Sequence, residues 1–125
     1  MARMAPDATL DEILDYIALS TIMTLCSAEP TTYTEATATY KLADVVIDGN
    51  DFSKANGVVS GRRLIVAAQS GVTIDASGTA THAALCTTSG SLLRFVTTMT
   101  SLALVAAGTV YIAEWDIEIR DPAAP

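Results

Sequence analysis

Hydrophobic positions near the amino terminus recur at helical spacing. Leu10, Ile13, Leu14, Ile17 and Ala18 form one apolar stripe, while Asp11, Glu12 and Asp15 take the other side. Thr9-Leu10-Asp11-Glu12 has the form of a capping box, in which the Thr hydroxyl accepts from the backbone N–H three residues on and the Glu side chain reaches back. Asp7, Asp11 and Glu12 suit the positive end of a helix dipole. A helix over residues 9–20 is predicted. Its periodic part is a rod of roughly 15 Å, too short to stand alone in water, so it must dock on something.

After Ser20 the period changes from that of a helix to that of a strand. Ile22, Thr24 and Cys26 alternate with Met23, Leu25 and Ser27 until Glu29-Pro30 stops the run. The polar, Thr-rich stretch 31–39 reads as an exposed loop. A second strand is predicted over Lys41 to Ile47, followed by the turn cluster Asp48-Gly49-Asn50-Asp51. Further strands are predicted at Arg62 to Ala68, Val72 to Asp75, Thr79 to Thr87, Ser91 to Thr98, Leu102 to Ala106 and Thr109 to Ile119. Ser89-Gly90 and Ala107-Gly108 supply residues able to take positive φ at tight hairpins. These elements predict a mainly β chain: an antiparallel β-sandwich or jelly-roll-like barrel with one short N-terminal α-helix, in a single domain over 1–125.

Some of the predicted strands are apolar on both faces. In the last one, Tyr111, Ala113, Trp115, Ile117 and Ile119 share a face opposite Glu114, Asp116, Glu118 and Arg120, but Val110 and Ile112 fall on the side that later turns acidic. Leu64 to Ala68 and Ala83 to Cys86 are apolar on both sides as well. Such strands need a cover on each face, either the N-terminal helix or a neighbouring subunit. Composition sharpens the point. The chain is 50% hydrophobic and only 17% charged, with a mean hydropathy of +0.39, which excludes disorder and is rather apolar for 13.0 kDa. A homo-oligomer or larger assembly is therefore expected. The candidate subunit-interface residues are Leu10, Ile13, Leu14 and Ile17 on the helix, Arg62 and Arg63 as the only basic pair, and Val110 and Ile112.

Charge narrows the partners. Fourteen Asp and Glu against seven Lys and Arg give a formal charge of −7, which repels phosphate backbones and anionic membrane surfaces. At 6% the aromatics are too sparse for a single-strand stacking platform. No run approaches the roughly 20 apolar residues of a membrane span. The uncharged stretch 16–28 follows acidic residues where an export signal would carry basic ones, so no export signal is read.

Candidate chemistry is thin. Cys26 and Cys86 are read as buried thiols, with a disulfide within or between subunits as the alternative in oxidising surroundings. With one histidine, His82, a His-rich metal site is impossible. His82 and Cys86 would share a strand face roughly 13 Å apart, too far for a nucleophile–base pair, and Cys26 meets His82 only if the fold brings them together. Glu114, Asp116 and Glu118 stand about 7 Å apart, a spacing open to glycosidase chemistry but more simply the wet face of a strand. Asp48, Asn50 and Asp51 lack the glycine and closing glutamate of a calcium loop. No phosphate loop, dinucleotide fingerprint or nucleophile elbow occurs. The expectation is a protein without catalytic, cofactor-binding or metal-binding residues.

The order of features resembles a known group. It comprises the acidic helix leading into Tyr16-Ile17-Ala18-Leu19, the strand ending in Ala28-Glu29-Pro30, the loop with Thr34-Glu35-Ala36, and Gly78-Thr79-Ala80-Thr81-His82-Ala83-Ala84-Leu85-Cys86. The Ser89-Gly90 hairpin into Leu92-Leu93 follows, then Val105-Ala106-Ala107-Gly108-Thr109-Val110 and Ile117-Glu118-Ile119 before Asp121-Pro122. Outside residues 41–75, this resembles the small β-sandwich virion proteins of tailed bacteriophages, which decorate capsids or contribute to collar and tail parts. The resemblance implies a non-enzymatic structural protein of the virion, made in the host cytoplasm. It would bind in many copies to a major capsid protein, or to neck or tail proteins. A carbohydrate- or receptor-binding sandwich, with the Thr-rich loop and Tyr33 or Tyr40 as contacts, is the alternative.

Overall fold

The structure, a computed structural model, describes residues 6–120. A helix, α1 (Asp7–Ile17), precedes nine strands: β1 (Ile22–Cys26), β2 (Lys41–Val46), β3 (Phe52–Asn56), β4 (Arg62–Val66), β5 (Gln69–Thr73), β6 (Gly78–Thr87), β7 (Leu92–Leu104), β8 (Thr109–Ile112) and β9 (Trp115–Ile119). A π-helical turn (Glu35–Thr39) lies between β1 and β2, and a 3₁₀ turn (Gly49–Asp51) precedes β3. All strand pairs are antiparallel, in three sheets ordered β2-β1-β6-β7, β3-β4-β9 and β5-β8. The chain is thus mainly β, sandwich-like, with one short N-terminal helix.

The core lies between the sheets and has two joined parts. Around α1, Leu14 and Ile17 pack with Met23, Leu64, Val66, Leu85 and Ile117. Toward the β7–β8 end, Leu25, Ala43, Val72, Ile74, Leu104 and Val110 pack together, and Val45 and Ile112 touch both groups. The helix docks as its stripe requires, and its acidic side faces outward with two of its acids paired. Asp11 meets Arg62 at 2.9 Å and Asp15 meets Lys54 at 2.6 Å, tying the helix to β4 and β3. At its C-terminal end the Arg94 guanidinium lies 4.4 Å from the Tyr16 ring centroid and donates to the Tyr16 carbonyl at 3.3 Å.

Several elements differ from their sequence reading. The helix starts at Asp7, with Pro6 at the cap and its carbonyl accepting from Thr9 and Leu10. Thr9 lies inside the first turn, so the predicted capping box is not formed; the fixed φ of proline sets the start one turn earlier. Its last helical residue is Ile17, and the Ser20 hydroxyl donates to the Ile17 carbonyl at 2.7 Å. Phe52–Asn56, which carries no strand signal, forms the polar edge strand β3. The predicted strands Ser91 to Thr98 and Leu102 to Ala106 are one continuous β7, because Met99-Thr100-Ser101 contains no glycine, proline, asparagine or aspartate to break it. The predicted strand Thr109 to Ile119 is two strands in two different sheets, β8 on β5 and β9 on β4, with a break at Ala113-Glu114. At the β7–β8 hairpin Ala107, rather than Gly108, takes positive φ (70°). Its N–H donates to the Ile74 carbonyl at 2.9 Å, while Gly108 accepts from the Ile74 N–H at 3.0 Å.

The Thr-rich stretch is largely exposed, as expected, but it is an ordered turn and not a loop. Thr31 donates to the Glu35 carboxylate through its N–H (2.8 Å) and its hydroxyl (2.7 Å), and the Tyr40 N–H reaches the Glu35 carbonyl at 2.9 Å to close the π turn. Those donors hold the Glu35 carboxyl below its ordinary value, the Thr31 backbone N–H foremost. The turn presses the fully buried Ala36 onto Ala84 and Cys86, on the side of the β1–β6 pair away from the main core.

Candidate functional site

Two places gather side chains with chemical or recognition potential. The first is the Cys26–His82 pair. Antiparallel register sets Cys26 directly opposite His82, with Ile22 opposite Cys86. The fold therefore does bring Cys26 to the histidine, a juxtaposition invisible in the linear spacing. Its chemistry is nonetheless quiet. The Cys26 thiol donates to the Ala36 carbonyl at 3.5 Å and lies 3.6 Å from the Thr24 hydroxyl, while His82 Nδ1 meets the Thr81 hydroxyl at 2.9 Å. Burial pushes the Cys26 thiol up, and the Cys86 thiol up to about 11, opposite to the shift that activates a nucleophile. Both thiols are free and buried. In the β1–β6 register the two cysteines stand four pairs apart, roughly 13 Å along the strands, whereas a disulfide needs Cα atoms within about 7 Å.

The second place is an open groove of about 670 Å³ between the edge of β7 and the β8–β9 segment. Leu25 and Ala83 supply its apolar floor, β7 from Thr97 to Leu102 one wall, and the chain from Val110 to Asp116 the other. Beside it, Phe95 and Trp115 stack with ring centroids 6.3 Å apart, joining β7 to β9. Trp115 lines the groove, and its Nε1–H is buried with no acceptor among the described residues. A shallower hollow adjoins at the β7–β8 hairpin and shares Leu102, Val110 and Tyr111. Around both, large apolar side chains face solvent: Leu102 is 42% exposed, Val105 70% and Tyr111 63%. None of these three, nor Trp115, stood out in the sequence as a contact residue. The available signal was the uncharged run from Phe95 to Ala113, between Arg94 and Glu114.

The predicted interface residues mostly belong to the interior. Leu10, Leu14, Ile17 and Val110 are buried within the chain, and Ile112 packs against both parts of the core. Only Ile13 faces solvent among the four helical residues. Arg62 is held by Asp11 and Asn56, and Arg63 by Asp116 at 3.0 Å, so both guanidinium groups are paired inside the molecule. The break at Ala113-Glu114 explains why Val110 and Ile112 looked misplaced: it resets the alternation, and both they and Ile117 point inward.

The acidic trio is split by the same break. Glu114 lies between β8 and β9, Asp116 pairs with Arg63, and Glu118 accepts from Arg120 at 2.8 Å and from the Val58 N–H. Arg120 foremost, then the backbone N–H groups, hold the Glu118 carboxyl low, unlike the raised value a general acid needs. Asp48 and Asp51 are engaged as the reciprocal caps of the 3₁₀ turn. Among the described residues no three His, Cys, Asp or Glu side chains gather in a way that would hold a metal ion, and no helix is long and apolar enough to cross a membrane. Tyr33 packs against the Ala36–Cys86 cluster instead of standing free as a stacking surface. Comparison with protein-family models, curated proteins and solved structures finds no match for this chain.

Proposed function

We propose that the protein is a non-enzymatic structural subunit of a tailed-phage virion, a capsid decoration or cement protein that binds in many copies. The observation that supports this reading is the apolar surface around Leu102, Val105 and Tyr111, beside the groove at one end of the sandwich. Exposed apolar surface of this kind marks an interaction site. Among the described residues, several cations elsewhere are engaged by the chain's own acids: Arg62 with Asp11, Lys54 with Asp15, Lys41 with Asp44 and Asp75, and Arg63 with Asp116. Docking driven by apolar burial fits a shell in which each copy meets neighbours at this end, with Val46, Val58 and Val59 as further exposed apolar side chains outside the groove. Collar, neck and tail positions use the same chemistry and belong to the same proposal.

Purified chain mixed with tailed-phage heads stripped of accessory proteins tests it. Saturable co-sedimentation at many copies per head is the expected result. Failure to bind heads, collars or tails contradicts it. Binding on a glycan array, lost on Trp115→Ala or Tyr111→Ala, would instead favour a carbohydrate-binding sandwich using the groove.

A further inference from the structure

We infer that the free edge of β7 is a self-pairing edge, joining two copies of this chain through antiparallel β7–β7 hydrogen bonds into one continuous eight-stranded sheet. This goes beyond the virion reading, since it concerns how two copies meet, and although both draw on the surface at Leu102 it is tested on the purified chain without particles.

The argument starts from the edges. In the four-stranded sheet β2 and β7 are the outer strands, and in the three-stranded sheet β3 and β9 are. An unpaired edge invites another strand, and proteins ordinarily blunt it with charge, proline or a covering segment. Three of these four edges are blunted, and the two-stranded sheet adds only the short uncharged edges of β5 and β8, five and four residues long. Lys41 and Asp44 sit on β2, whose Leu42 carbonyl already accepts from Asp75 and Ala76. Strand β3 carries Lys54, and β9 carries Asp116 and Glu118. By contrast, β7 has no charged residue after Arg94, no proline, and thirteen residues of length. From Thr98 to Ala103 every residue except Met99 is exposed.

Charge then selects the occupant. Two copies of a chain of formal charge −7 repel over most of their surfaces, and a cationic partner would gather where the acids are. The uncharged run from Phe95 to Ala113 is where like copies meet with no charge to desolvate and none to oppose. Geometry adds self-complementarity. An antiparallel strand is its own partner about a twofold axis, so each donor and acceptor along the edge finds its mate, as an isologous dimer requires. Pairing would also shield Leu102, one of the exposed apolar side chains at this end.

Sedimentation velocity of the full chain over a concentration series, up to about 100 µM, tests the inference. Wild type should dimerise, and more strongly as salt rises from about 0.05 to about 0.5 M, because screening relieves the repulsion between acidic copies. Leu102→Glu or Thr100→Glu should weaken the dimer by at least about tenfold through a like charge placed at the edge. Val59→Glu adds the same charge on the β3–β4 turn and should leave the dimer within about twofold of wild type. Should an edge variant fail to fold, Thr100→Cys keeps the test open: a short bis-maleimide should link two copies, since Cys26 and Cys86 are buried. A wild type that stays monomeric overturns the inference. So does a dimer that is indifferent to both edge charges, weakened by salt, or not linked through position 100.

Discussion

Two stretches of this chain look alike in sequence and end up opposite in structure. Ala83 to Cys86 in β6 and Leu102 to Val105, at and just past the end of β7, are both short, uncharged and apolar on both faces. The first is wholly buried: Leu85 faces the core under α1, and Ala84 and Cys86 lie beneath the π turn with Ala36. The second has Leu104 in the core while Leu102, Ala103 and Val105 face solvent at a sheet edge. Two-sided apolarity says that a strand needs two covers, and says nothing about who supplies them. For β6 the chain supplies both; at the end of β7 the outer face is left open.

The largest effect separating the two should come from the covered stretch. Leu85→Ala is expected to cost about 2–5 kcal/mol in chemical denaturation, by lost transfer energy and a cavity among Leu14, Met23 and Leu64. Next, Ala36→Leu should cost about 1–3 kcal/mol, since the turn presses a methyl group against Ala84 and Cys86 with no room for more carbon. A neutral result there would mean that the π turn is not a tight cover. Leu102→Glu, by contrast, should cost less, about 1 kcal/mol or under, because that side chain is already 42% exposed and has only part of its cover to lose.

Smaller still is the acid response. The Glu118 and Glu35 carboxyls are held below their unfolded values, by Arg120 and by the Thr31 N–H respectively. Each contributes stability that is fully present above the unfolded value of about 4.3 and is lost as pH falls through the lower folded value. The thermal midpoint difference between wild type and Glu118→Gln should therefore shrink as pH drops from about 6 to about 3, and likewise for Glu35→Gln. A difference that grows on acidification would contradict the assignment.

What could be read from the residues follows how local each cause is. The α1 stripe and the strand-rich remainder rest on periodicity, which local side chains set, and they match the structure. The helix begins before the capping box because Thr9-Leu10-Asp11-Glu12 satisfies a local rule that Pro6 pre-empts. The break at Ala113-Glu114 carries no glycine or proline, so only the transfer of the chain from β5 to β4 reveals it. The Thr-rich stretch is solvated as read, but its order is not legible, because that comes from Glu35 accepting from Thr31 and from Ala36 packing on a sheet face distant in sequence. Of the candidate interface, the helical positions were sound as apolar positions but their partners were internal, and Arg62 and Arg63 found theirs in Asp11 and Asp116. The groove beside β7 needs four separated segments to form, which no linear pattern displays.

Amide hydrogen exchange at low and high protein concentration puts the contrast to its most direct test. The amides of Ala83–Cys86, flanked by β1 and β7, should be slow at both concentrations. Those of β7 from Thr97 to Leu104 that point away from β6 should exchange fast in dilute protein and slow markedly when it is concentrated. If those edge amides are slow at both concentrations, the chain covers the edge itself. If they are fast at both, nothing ever covers it, and the assembly account fails.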